Sequence, residues 1–412
     1  MKKAYLLIAT TLLLSVNNYV SAQKSGTVSQ MKADVEYLAS DKLEGRQTGT
    51  KGEKLASEYI AKRMKALKLE PKGTDGYYQV FSVKPKFDVH AKVQADTTVA
   101  VEGRNVMGYI DNGAEETVVI GAHYDHLGWG DKGSLHQGDS AIHNGADDNA
   151  SGVAVVLQLA QWLKGKYKAN NYLFIAFSGE EKGLWGSNWF SKNATIDMGK
   201  VNYMINLDMV GRMDEEKHLA IYGTGTSPVW KPLVEKIAAD SIHLKLTESG
   251  VGPSDHTSFY LKDIPVLHFF TGQHEDYHKP SDDVEKINYP GMNSVLHFVE
   301  QVIVDLDDDN KLAFTRTKDD EESTKAPKYS VTLGVIPDYM FDGKGMRIDG
   351  VREGKPAQNA GLQAGDILVK MGDQDISNMM DYMKALGNFK PGDKTMLTIQ
   401  RDNKTTEVEV VF

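Results

Sequence analysis

The clearest pattern along the chain is a series of short apolar runs that each stop at a polar residue. Thr117–His123 is rich in β-branched residues and ends in a histidine. Asn171–Phe177 runs into Ser178-Gly179-Glu180-Glu181, and Val201–Leu207 runs into Asp208. A fourth run, Ile264–Phe270, precedes a loop that carries His278. Continuous apolar runs of this length predict strands buried on both faces, the habit of parallel sheets. Helix-length segments at Gly52–Met64 and Val153–Leu163 complete the pattern. The expected fold class is α/β, a doubly wound mixed sheet. In such sheets ligands gather beyond the carboxyl ends of the strands, so His123, the Glu180-Glu181 pair and Asp208 should converge on one place.

The chemistry at those ends is that of a metal site. Gly145–Gly152 places Asp147 and Asp148 immediately before the second helix, with Ser151 as its expected cap. Together with His123, the glutamate pair, Asp208 and His278, these residues supply two imidazoles and enough carboxylates for two metal ions. Three carboxylates against two divalent cations leave one positive charge, which favours bound water in its ionised form, titrating near pH ~7. Asp125, two residues beyond His123, is expected to accept the imidazole's other N–H and fix its tautomer. The residues alone do not rank Asp147 against Asp148, or Glu180 against Glu181. The loop histidines His126, His136 and His143, with Asp139, read mainly as pocket-lining or solvated.

The stretches His123-Tyr124-Asp125, Gly145–Gly152, Ser178–Glu181, Asn206–Met209, Ser254-Asp255-His256 and Tyr277–Asp282 resemble the M28 family of co-catalytic zinc aminopeptidases. The resemblance spans roughly residues 30 to 300 and includes Leu38–Thr50 upstream. It implies that Asp148 bridges two zinc ions (Zn2+), with His123 and Asp208 completing one and Glu181 and His278 the other. Glu180 would be the general base, and Asp255 and His256 would lie by the substrate. Mn2+ or Co2+ suits the same ligands. Some members place a tyrosine before the Ser-Asp-His motif as oxyanion donor; here Glu248–Pro253 stands there, and the oxyanion partner is unassigned.

Beyond residue 310 the pattern changes. Asp305–Asp309 and Asp319–Glu322 flank a polar stretch, read as an acidic linker over 311–327. Strands are expected at Tyr329–Ile336, Met346–Val351, Ile367–Met371 and Met396–Gln400, with an amphipathic helix at Met379–Leu386. This order resembles a circularly permuted bacterial PDZ domain, a small β domain over 328–412. The resemblance implies that the backbone of Thr332, Leu333, Gly334 and Val335 receives a peptide's terminal carboxylate.

Met1–Ala22 has the charged start, apolar core and small-residue end of a secretory signal peptide, so the protein is expected to be periplasmic or extracellular, with the peptidase domain over 23–310. No later run reaches the length of a membrane span. The absence of cysteine excludes disulfides and thiolate ligands. A net charge of −10 argues against nucleic acid as a partner. The function expected is an exported aminopeptidase that attacks the first peptide carbonyl with a metal-bridging hydroxide. The alternatives are a carboxypeptidase-like or glutaminyl-cyclase-like member of the same fold, or an inactive peptide-binding homologue.

Overall fold

A computed structural model describes residues 26–412, apart from 85–98, 131–132, 135, 137, 240, 308–309, 318–330, 338–342, 352–353, 378 and 403. The expected signal peptide and most of the expected linker lie outside the described residues. Helices α1 (26–38) and α2 (Lys51–Ala66) lead into strands β1 (Glu70–Pro71), β2 (Tyr78–Val83), β3 (Val101–Ile110) and β4 (Thr117–His123). There follow α3 (Gly152–Leu163), β5 (Asn171–Phe177), α4 (Trp185–Lys192), β6 (Val201–Leu207), β7 (His218–Tyr222), α5 (Trp230–Ala238), β8 (His243–Thr247), α6 (His256–Tyr260), β9 (Val266–Phe270) and α7 (Tyr289–Asp305).

These strands form one nine-stranded sheet, ordered β1-β3-β5-β4-β6-β9-β7-β8 with β2 also on β3. The centre, β5-β4-β6-β9, is parallel, whereas β3 and β7 join it antiparallel. Every residue of β4, β5 and β6 is buried, and alternation divides them between two cores. Val118, Ile120 and Ala122 face the larger core with α2, α3, α5 and α7, while Val119, Leu173 and Ile175 face the smaller one with α4 and α6. Helices therefore cover both faces, and the carboxyl ends of β4, β5 and β6 emerge at one edge. The strand expected from Ile264 starts at Val266; Pro265, lacking an N–H, joins the neighbouring strand only through its carbonyl, which accepts from Met204 N–H.

The second domain is a six-stranded antiparallel sheet: β10 (Val335–Pro337), β11 (Met346–Val351), β12 (Ile367–Met371), β13 (Gln374–Asp375), β14 (Lys394–Arg401) and β15 (Lys404–Val411), with helices α8 (Pro356–Asn359) and α9 (Met379–Leu386). The sequence reading overlooked β15, where Glu407 and Glu409 alternate with Val408 and Val410, because a strand five of whose eight residues are charged or polar lacks an apolar run. Leu333 is buried in this domain's core, and its carbonyl accepts the Ala357 N–H. The Gly334 N–H donates to Thr332 Oγ1, so one amide of the expected carboxylate loop is already engaged. Val335 opens β10.

Residues 311–317, read from sequence as linker, are packed on the first domain. Leu312 N–H donates to Asn202 Oδ1, Thr315 N–H to the Thr226 carbonyl and Thr317 N–H to the Tyr260 hydroxyl, while Thr317 Oγ1 accepts from Gly250 N–H. At about 1 kcal/mol net per bond, a chain ending at Thr317 is expected to exceed one ending at Asn310 by roughly 4 kcal/mol in urea unfolding. Equal midpoints for the two truncations would show that this segment adds nothing.

Candidate metal centre

Three strand ends and two loops build the site. β4 delivers His123, the turn after β5 delivers Glu180 and Glu181, and the residue after β6 is Asp208. Asp148 stands in the kinked turn 146–151 ahead of α3, and His278 enters from the loop after β9 with φ of 54°. The Asp148 carboxylate faces two ways. Its Oδ1 lies 3.3 Å from His123 Nε2, which is 3.2 Å from Asp208 Oδ1. Its Oδ2 lies 3.3 Å from His278 Nε2, which is also 3.3 Å from Glu181 Oε2. Asp147 turns away, accepting the Gly211 N–H at 2.6 Å and facing His274 Nε2 at 3.0 Å.

The surrounding hydrogen bonds orient these groups. Asp282 accepts the N–H groups of both Asp147 and Asp148. Ser254 Oγ donates to Asp208 Oδ2 at 2.7 Å, and His278 Nδ1 donates to the Gly133 carbonyl at 2.8 Å. Asp125 differs from expectation: its carboxylate stands 3.8 Å from His123 Nδ1, and the nearer acceptor is its own main-chain carbonyl at 3.2 Å. The Asp125 carboxylate instead accepts from Glu180 N–H and Thr48 Oγ1, so it anchors the turn that carries the glutamates. Ser151 does not cap α3; it lies in helical conformation with its hydroxyl on the Asp147 carbonyl. Asn149 Oδ1 takes the Gly152 N–H in its place, since a carboxamide three residues back reaches that donor.

Two residues carry more of the site than their sequence context signalled. His126 is fully buried with Nδ1 2.8 Å from Glu181 Oε1, whereas the sequence reading left it in a pocket-lining or solvated loop. Its neighbours His143 and Ser134 bond one another, and His136 stacks edge-on against His143. Arg46, also fully buried, donates only to main-chain carbonyls: Tyr124 at 2.6 Å, Leu38 at 2.8 Å, Gly145 at 3.0 Å, Asp148 at 3.5 Å, and Asn144. Burial pushes its guanidinium down to about 10 against the pull of Asp148, Asp125, Asp282 and Glu181, so it stays charged at neutral pH. Asp255 and His256 are fully buried, their side-chain polar atoms have no hydrogen-bond partner among the described residues, and the His256 ring stacks on His268 with centroids 4.5 Å apart.

The protein's own charges show what the cluster lacks. Burial pulls His278 down, yet Asp148 and Glu181 outweigh it and hold the imidazole up at about 9. Burial pushes Glu180 well above the usual carboxylate range, opposed by His123 and reinforced by Glu181 and Asp208. Such a cluster has excess negative charge, and divalent cations satisfy it. The donor spacing fits: atoms bonded at ~2.0–2.1 Å to one tetrahedral ion sit about 3.3 Å apart. Among the described residues, one group of donors comprises His123, Asp148 and Asp208, and another His126, Asp148 and Glu181.

Residues 105–303 match the model of peptidase family M28, and residues 312–411 match that of the PDZ domain. The chain is 32% identical over 188 residues to aminopeptidase YwaD of Bacillus subtilis, covering 42% of this chain and 37% of that one. It is 28% identical over 215 residues to a probable leucine aminopeptidase of Trichophyton verrucosum, covering 49% and 51%. It thus spans between about a third and a half of the length of these curated relatives. In fold it is similar to the zinc aminopeptidase BSAP from Bacillus subtilis, with a TM-score of 0.54 at 19% identity over 69% of this chain and 95% of that one. A Porphyromonas gingivalis glutaminyl cyclase is similar too, with a TM-score of 0.55 at 18% identity over 68% and 98%. Because the family model covers the strands and loops that assemble the centre, and the PDZ model covers the second sheet, the chain carries a peptidase family M28 region at residues 105–303 followed by a PDZ domain at residues 312–411.

Proposed function

We propose that the protein is an exported metallo-aminopeptidase that hydrolyses the amino-terminal peptide bond of peptides. The observation that carries this reading is the two-sided Asp148 carboxylate, with a histidine and a further carboxylate on each side. Asp148, His123 and Asp208 would hold one divalent cation, and Asp148, Glu181 and His278 the other. When bound, such a pair polarises the scissile carbonyl and brings water's pKa near neutrality. Glu180 stands beside these ligands, and its carboxylate makes no hydrogen bond to another described residue, so it is free to take a proton from the attacking water. It returns that proton to the departing amine nitrogen. Asp125 holds the Glu180 backbone, which keeps the base from drifting during transfer.

The PDZ domain binds the carboxyl end of longer substrates in this reading, through the Thr332–Val335 loop. Export is supported by the leader pattern in residues 1–22, and no helix among the described residues is long and apolar enough to cross a membrane. Purified protein is expected to hold close to two metal ions per chain and to lose activity with a chelator. Acetylating a substrate's amino terminus should abolish turnover, because the free amine is the proposed anchor. Metal-independent turnover would overturn the reading, and equal rates on blocked and free peptides would exclude an aminopeptidase.

A further inference from the structure

We propose that His126 is a positioning residue for the second ion: its Nδ1–H holds one oxygen of Glu181 so that only the other faces the metal. This rests on the two-ion reading above and adds to it a residue outside the five ligands. The distances separate a hydrogen bond from shared coordination. In each set assigned to one ion, the imidazole nitrogen lies 3.2–3.3 Å from both carboxylate oxygens, the spacing of ligands around a common centre. His126 Nδ1 lies 2.8 Å from Glu181 Oε1, a hydrogen-bond length, and 3.9 Å from Asp148 Oδ2. The two Glu181 oxygens are thus divided, Oε1 to His126 and Oε2 to His278. His126 Nε2 has no partner among the described residues, so Glu181 is the one acceptor either ring nitrogen reaches at hydrogen-bond distance.

The ring has no freedom to do otherwise. The His126 N–H donates to the Arg46 carbonyl, and the ring packs on Gly145, whose φ is +56°. A Cβ at residue 145 would come within 2.5 Å of the imidazole Cδ2, so a glycine is needed for the ring to sit there. The same stretch of chain also steadies the other ligand of this ion, since the Gly133 carbonyl accepts from His278 Nδ1. The first ion's ligands rely on different partners, the Asp125 carbonyl for His123 and Ser254 for Asp208. Loss of the His126 proton donor should therefore loosen the second ion and spare the first.

The test is a two-step calorimetric titration of chelator-stripped, full-length protein with Zn2+, comparing wild type, His126→Leu and His126→Asn. The leucine variant should weaken the second equivalent by about 10- to 100-fold, the range for loss of an outer partner of a ligand, and leave the first unchanged. Asparagine, which offers an N–H near the position of Nδ1, should restore most of that affinity. Unchanged second-site affinity in His126→Leu would overturn the role while leaving the two-ion reading intact. X-ray absorption of the loaded wild type should show two imidazole nitrogens per two ions; three would make His126 a ligand and overturn the positioning role. A wild type that takes up no second ion overturns both readings together.

Discussion

Replacing Glu180 with glutamine is expected to slow turnover by about two to four orders of magnitude, the range for removing a general base, while metal content stays at the wild-type level. The side chains are nearly isosteric, and the Glu180 N–H bond to Asp125 survives the change. Only the capacity to accept a proton is lost. Burial and the neighbouring carboxylates raise Glu180 well above its ordinary range, which moves it toward the neutral pH at which a base works best. Glu181→Gln should give the opposite phenotype, because Glu181 Oε2 shares the approach to His278 and Oε1 accepts from His126. Metal analysis and single-turnover rates on the two variants check both expectations. If glutamine at 180 emptied the site and glutamine at 181 spared it, the roles within the pair would be reversed.

Arg46→Met should be the most destabilising single change in the peptidase domain, costing about 4 kcal/mol or more, a size reached when a buried polar network is broken. Arg46 ties the Leu38, Tyr124, Asn144, Gly145 and Asp148 carbonyls to one guanidinium, and methionine would strip that donor from all five buried acceptors, of which Gly145 keeps the Ala150 N–H. Tyr124 follows His123, and Asp148 is the shared carboxylate, so the lost bonds lie next to the proposed ligands. Arg46→Lys keeps the charge but not the planar fork, and it should recover only part of the loss. Urea unfolding followed through the tryptophans reads this directly. A methionine variant within about 1 kcal/mol of wild type would show that the carbonyls find other donors.

The sequence by itself determined the centre of the sheet and the edge at which the chemistry gathers. Thr117–His123, Asn171–Phe177 and Val201–Leu207 are strands with the expected bounds, because a strand buried on both faces leaves an uninterrupted apolar run that needs no context to read. Parallel neighbours end at the same edge, so their terminal polar residues were bound to meet. What only the tertiary structure decided is the direction in which each polar side chain turns. Asp147 and Asp148 are adjacent and chemically identical, yet one faces His274 and Gly211 and the other faces His123 and His278. His126 meets Glu181 across 55 positions of sequence, and Arg46 meets Asn144 across 98. A hydrogen bond is satisfied by whichever donor or acceptor the fold brings within about 3 Å, and no local pattern records partners that distant.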